Sequence, residues 1–319
     1  MALENSVFQG TVFGPPLWNV FFGDVAKPAR STGGKEAMFA DDLKMFQEFH
    51  RLTSLPDVMS KLSECRKRVH KWGDANRVTF DAGKEHLVVL HPSESHGDSF
   101  KLLGCMIDLD LRMHSCIEQL LSKIRPKSTA LLRTRAYYSV PELVNQYKTH
   151  IWGLVECNCG AYFHAANSLL AKIAQVQTSF LSKLEVTEQQ AFLEFNFAPT
   201  SLRRDIAILG LLHKRVIGQS HPAFERLLPF YSDRFDTPRG FGHSKPLYGH
   251  WIEATYHPSL FGKSIFMMVD VYNNLPQNVV DSLNASAFQS LFTQRARERC
   301  QANDPLWPWS FNARSQGMD

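Results

Sequence analysis

Along the 319-residue chain the spacing of apolar positions changes, and the changes divide it. Residues 6–23 open with the small polar run "QGT" and continue as "GPPLWNVFF", where Pro15 and Pro16 stand in a first helical turn that tolerates proline. The run predicts a short helix, apolar on nearly every side and therefore buried. "KPARSTGGK" is a loop by composition. "EAMFADDLKMF" (36–46) then sets Asp41 and Asp42 between apolar flanks, the pattern of a hairpin with Phe39 and Phe46 anchoring its strands. Val58, Leu62, Cys65, Val69 and Trp72 recur at spacings of 4, 3, 4 and 3. That is one stripe of a helix, starting at Ser54 and Pro56, ending at Gly73, with Lys61, Arg66, Lys67, Arg68 and Lys71 outside. "HLVVLH" and "FKLLGCMID" read as two strands joined by the turn-rich "PSESHGDS".

After about residue 111 the spacing becomes helical, with patterns near 142–156, 164–185 and 200–218. Residues 219–264 are rich in Pro, Gly, His and aromatics and read as an irregular connector, followed by a helix near 281–300. The tail from Asp304 is either poorly ordered or docked only by its tryptophans. Strands first and helices afterwards predict an α+β chain with segregated parts.

Composition narrows the classes. Hydrophobic residues are 44% and charged residues 21%, with 23 Phe, which favours a packed chain over a disordered one. Net charge is +4, but residues 111–150 hold seven Lys and Arg against two Glu, so a polyanion partner fits that region. Six sparse, uneven cysteines argue against a disulfide scaffold and for a reducing, intracellular setting, nucleus or cytoplasm. Cys157 and Cys159, near His150 and His164, are of zinc-ligand type, though no second C-x-x-C accompanies them. No apolar run approaches the roughly 20 residues of a membrane span, so no membrane partner is expected.

The adjacent aspartates leave two readings open. Two charges about 4 Å apart repel by about 4 kcal/mol at an effective dielectric near 20. Asp-Asp is a good turn dipeptide, and a divalent cation such as Mg²⁺, which prefers carboxylate oxygens, would also relieve the repulsion.

Taken in order, "FQGTVFGPPLWNVFFGDV" and "MFADDLKMF" resemble consecutive motifs of reverse transcriptases, with the nearest likeness to non-LTR retrotransposon and group II intron enzymes. Gln9, Gly10, Gly14, Pro15, Leu17 and Asn19 match the first motif, with Phe8 in place of proline and Thr11 in place of serine. Phe39, Ala40, Asp41 and Asp42 match the second, with phenylalanine where tyrosine is commoner. The stripe ending in Trp72 is similar to the helix after the Asp-Asp hairpin, "VTFDAGKEHLVVLHP" to the next segment, and "FKLLGCMID" to the strand that grips the primer.

The resemblance implies a partial polymerase palm over 1–110, a basic, thumb-like helical region over 111–218, and a connector with a C-terminal helix over 219–319. It implies RNA-directed DNA polymerase (nucleotidyltransferase) activity with Mg²⁺ or Mn²⁺ held by Asp41 and Asp42. Gln9, Gly10, Thr11, Phe39 and Lys84 would meet template or incoming nucleotide, and Leu103 and Gly104 the primer. Lys123, Arg125, Lys127, Arg133 and Arg135 would follow the nucleic-acid backbone. The partners would be an RNA template, a DNA primer or RNA–DNA hybrid, and deoxynucleoside triphosphates. The family's third carboxylate lies in a motif upstream of the Gln-Gly segment and has no match here. The expectation is therefore an N-terminally truncated chain with little activity of its own, or a non-catalytic nucleic-acid-binding remnant.

Overall fold

The structure, a computed structural model, describes residues 11–91, 94–236, 240–250 and 261–311. Within them the chain is α+β, mostly helical with two two-stranded antiparallel sheets. It divides into two compact units, residues 1–98 and 99–319.

The first unit opens with helix α1 (Gly14–Phe22), which carries proline in its first turn as expected. Contrary to expectation it is not buried: within it only Gly14 and Phe22 are covered, while Leu17 is 63% and Val20 81% exposed. Among its described residues the unit gathers only a small core and leaves other large apolar side chains, Val12, Phe13, Leu52 and Leu90 among them, exposed as well. Its core is Phe22, Val25 and Val69, flanked by partly buried Trp18, Leu43, Met45, Trp72 and Phe80. The expected loop "KPARSTGGK" begins instead within a short helix, α2 (Ala26–Arg30). Its Pro28 lies in the first turn, where no amide donor is needed, and Ala26 and Ala29 are buried.

Strands β1 (Lys35–Phe39) and β2 (Asp42–Phe46) form the expected hairpin, with Phe39 opposite Asp42 and Met38 opposite Leu43. Helix α3 (Leu55–Asn76) follows. The Ser54 hydroxyl accepts from the Asp57 amide at 3.3 Å, and Val58, Cys65 and Val69 are buried. The helix runs three residues past Gly73 and stops at Arg77, whose φ is 56°. Gly73 is a packing position rather than a stop: a Cβ there would lie 2.6 Å from the Val78 carbonyl oxygen. "HLVVLH" is not a strand; only Val89 pairs, with His96, in an isolated bridge.

In the second unit the predicted single strand "FKLLGCMID" is itself a hairpin, β3 (Phe100–Leu102) and β4 (Cys105–Ile107). Leu103 (φ 46°) and Gly104 (φ 85°) make its turn, and positive φ at both central residues is the requirement of a type I′ turn. Helix α4 (His114–Arg133) buries Cys116, Ile117, Leu120, Leu121 and Ile124. These pack with α5 (Val140–Tyr147), α6 (Gly153–Cys157), α7 (Cys159–Tyr162) and α8 (Asn167–Lys183) into one core. A second core gathers α10 (Thr200–Val216), Met267–Asn273 and Ala285–Gln301. Between α8 and α10 lies α9 (Glu188–Phe195), which the apolar spacing did not foretell.

The described part of the connector is largely irregular, as expected, apart from short helical turns at Ala223–Leu227 and Tyr231–Asp233, and is held by buried side chains. Asn273 both donates to the Leu247 carbonyl (2.8 Å) and accepts from its amide (2.9 Å). Arg215 Nε donates to the Leu228 carbonyl at 3.0 Å. Trp307 stacks on Phe192 with centroids 5.0 Å apart, which docks the start of the tail.

Candidate functional site

The Asp-Asp tip is built by a two-residue loop, Ala40–Asp41, closing β1 onto β2. Ala40 has φ 55°, the sign that type II′ hairpin loops require at their first central residue and that glycine normally supplies. Helix α1 helps hold the tip: Trp18 Nε1 donates to the Ala40 carbonyl at 3.1 Å, and its ring stacks on Phe22 at 5.0 Å. Because strand side chains alternate and paired residues share a face, Leu43 and Met45 point toward the small core and carry the anchoring. Phe39 and Phe46 lie on the other face and are 65% and 49% exposed, so the expected anchoring by these two rings is not what the fold uses.

Asp41 and Asp42 are both exposed, and neither carboxylate has a hydrogen-bond or ion-pair partner among the described residues. Oxygen donors of this kind suit Mg²⁺, which usually keeps several waters and takes one or two protein carboxylates together with substrate phosphates. The donor set therefore fits such an ion, with most of its ligands still to come from water or substrate. Among the described residues no three His, Cys, Asp or Glu gather as a metal site. Other acids of this unit are engaged elsewhere: Asp24 pairs with Lys27 at 2.8 Å, and Glu36 with Arg30.

The remaining expected residues fall as follows. Gln9 and Gly10 lie outside the described residues. The Thr11 hydroxyl oxygen accepts from the Gly14 amide at 3.1 Å, so it starts α1. Lys84 ends a single 3₁₀ turn, Ala82–Lys84, that Asp81 caps through the Gly83 amide at 2.9 Å. Its side chain is 85% exposed, with Nζ 3.6 Å from Asp81 Oδ2. Glu85 ties that turn to α3 through His70 Nε2 at 2.7 Å.

In the second unit, Leu103 and Gly104 occupy the β3–β4 turn, with Leu103 52% exposed. Lys123, Arg125, Lys127, Arg133 and Arg135 are all exposed, but the helix does not bring them to one face. At about 100° per residue, Lys123 and Lys127 lie about 40° apart, while Arg125 points about 160° away from both. Arg135 follows the end of α4 and reaches the Lys183 carbonyl at 3.5 Å. Cys157 and Cys159 do not join the nearby histidines: His150 meets Gln146 Oε1 at 3.0 Å, and His164 Nε2 donates to the Leu111 carbonyl at 2.7 Å.

Two features escaped the sequence reading. The Trp18–Ala40 bond had no signal, since it joins residues 22 apart. Exposed Tyr137 (85%) and Tyr138 (48%) beside Arg135 look in sequence like any helix end.

The chain is similar in sequence to an RNA-directed DNA polymerase of a mobile element. That relative is the RNA-directed DNA polymerase from mobile element jockey of Drosophila funebris, 26% identical over 203 residues, which cover 57% of this chain and 22% of that protein. The match thus spans less than a quarter of the curated relative's length. No family model matches the sequence, and no solved structure matches it. Among the described residues no helix is long and apolar enough to cross a membrane.

Proposed function

We propose that this chain is part of an RNA-directed DNA polymerase of a mobile element, contributing later palm and thumb elements to a nucleotidyltransferase that works inside the cell. The observation that carries the reading is the exposed Asp41–Asp42 hairpin tip, whose carboxylates have no partner among the described residues, in a chain similar to such a polymerase. Asp41 and Asp42 would hold Mg²⁺ or Mn²⁺. Bound there, the ions would stabilise the attacking and leaving oxygens of an in-line displacement at phosphorus.

The chain's own residues would bind and orient. Phe39, exposed beside Asp42, would offer a ring face to template or nucleotide. Lys84 would meet the triphosphate as a point charge in competition with Asp81. Gln9, Gly10 and Thr11 would line the template or nucleotide, and the Leu103–Gly104 turn the primer. With no third acid gathered beside the pair among the described residues, the chain by itself would extend primers poorly. The test is RNA-templated primer extension by the longest native product that contains this sequence, against its Asp41→Asn/Asp42→Asn variant. Extension lost in the variant supports the reading. Extension that survives the change, or none from either, overturns it.

A second reading, a non-catalytic nucleic-acid binder, is favoured by the exposed basic residues of α4. Because these residues do not share a face, a hybrid would meet about two or three at once. The slope of log K against log salt should then be about −2 to −3, where five contacts would give about −4.5. Filter binding to an RNA–DNA hybrid at several salt concentrations measures it, and salt-independent binding contradicts both readings of these cations.

A further inference from the structure

Away from the carboxylate tip, β4 packs on α4 and brings two cysteines together. Cys105 opens β4, Cys116 lies in the first turn of α4, and their Sγ atoms are 2.8 Å apart. Both residues are buried, at 3% and 6% exposure. A disulfide has its sulfurs about 2.05 Å apart, so closure asks for an approach of about 0.8 Å. The nearby Asp108 is buried as well: Oδ2 accepts from the Ser115 amide at 3.3 Å, while Oδ1 has no partner among the described residues.

We propose that Cys105 and Cys116 are a redox modification site, closing to a disulfide when the chain meets hydrogen peroxide and clamping the β3–β4 turn to the first basic helix. In the first step one sulfur attacks a peroxide oxygen and the O–O bond breaks, leaving a sulfenic acid and one water. In the second, the other sulfur attacks the sulfenic sulfur, the S–O bond breaks, and its hydroxyl leaves as water with the second thiol's proton. Two thiols and one hydrogen peroxide become one disulfide and two waters; the sulfurs are oxidised and the peroxide is reduced.

The chemistry sets the pace. Burial, then the Cys116 thiol, then the Asp108 carboxylate push the Cys105 thiol up to about 12. The reactive thiolate is scarce at neutral pH, so the closure is slow and suits sustained oxidation. The consequence is local: Leu103 and Gly104 directly precede Cys105, and α4 carries Lys123, Arg125 and Lys127. Closure would fix the turn against that helix whether or not the chain belongs to a polymerase.

The test is peptide mapping of the full native chain after hydrogen peroxide treatment, alkylation of remaining thiols and tryptic digestion. Cleavage after Lys101, Arg112 and Lys123 puts the two cysteines in separate peptides, 102–112 and 113–123. The expected result is a linked pair lighter by two hydrogens, released by dithiothreitol and absent in Cys116→Ser. Recovery of both peptides singly, or linked to the exposed Cys157, overturns the proposal. A second measurement needs no variant: hydrogen exchange over 100–107 should slow several-fold on oxidation of the unaltered chain and recover on reduction. An unchanged rate in the linked form overturns the clamp.

Discussion

Replacing both aspartates of the hairpin tip, Asp41→Asn/Asp42→Asn, should leave the fold as stable as before or slightly more so. Neither carboxylate has a partner to lose among the described residues, so the main change is relief of mutual repulsion. Both are exposed, and even two charges about 4 Å apart repel by only about 1 kcal/mol in bulk water, reduced further by salt with a screening length of about 8 Å at physiological strength. The expected gain is therefore about 0.5 kcal/mol, up to a twofold or threefold drop in local opening. Hydrogen exchange over 35–46 reads this directly, without interference from the second unit. Mg²⁺ at constant ionic strength should slow exchange in the unaltered hairpin by mass action and do nothing in the variant. A loss of about 2 kcal/mol or more would mean that the carboxylates brace the turn, and would refute the view that they are free to bind an ion.

Ala40→Gly should stabilise the same hairpin by about 0.5–1 kcal/mol, because alanine at φ 55° carries a left-handed penalty that glycine lacks. Slower exchange over 35–46 would confirm it, and faster exchange would exclude the strain. Gly73→Ala should destabilise the first unit by about 1–3 kcal/mol despite alanine's helix propensity, since its Cβ would meet the Val78 carbonyl at 2.6 Å and Phe80 at 2.9 Å; a raised urea midpoint would contradict this. Burial lowers the imidazolium tendency of His213 and His243 below the ordinary 6.5. Below pH 6.5 the unfolded chain therefore takes protons that the native one refuses. Stability present above that pH is lost as pH falls toward the depressed native values, and a urea midpoint at pH 5.5 equal to or above that at pH 7.5 would refute it.

What the sequence showed depended on the range of the interactions involved. The Asp41–Asp42 hairpin and α3 were legible because strand flanks and a helical stripe are local patterns. The burial of α1 was misjudged because apolar composition says what a helix can bury and nothing of whether its surroundings suffice; Leu17 and Val20 stay exposed. The turn inside "FKLLGCMID" was hidden because Leu103 adopts a backbone conformation that its residue type rarely takes. Likewise the basic residues of α4 read as one stretch in sequence, while helical geometry sends Arg125 away from Lys123 and Lys127. The cysteine pair needed two elements to pack before its 11-residue separation became a contact.

The exposed Asp41–Asp42 tip is proposed to hold a divalent ion. Paramagnetic broadening of backbone NMR signals by Mn²⁺, with a deoxynucleoside triphosphate present, would locate that ion on the unaltered chain. The metal assignment predicts broadening centred on residues 39–43, displaced by excess Mg²⁺ and lost in Asp41→Asn/Asp42→Asn. Broadening only elsewhere, or none at the tip at millimolar Mn²⁺, would contradict it.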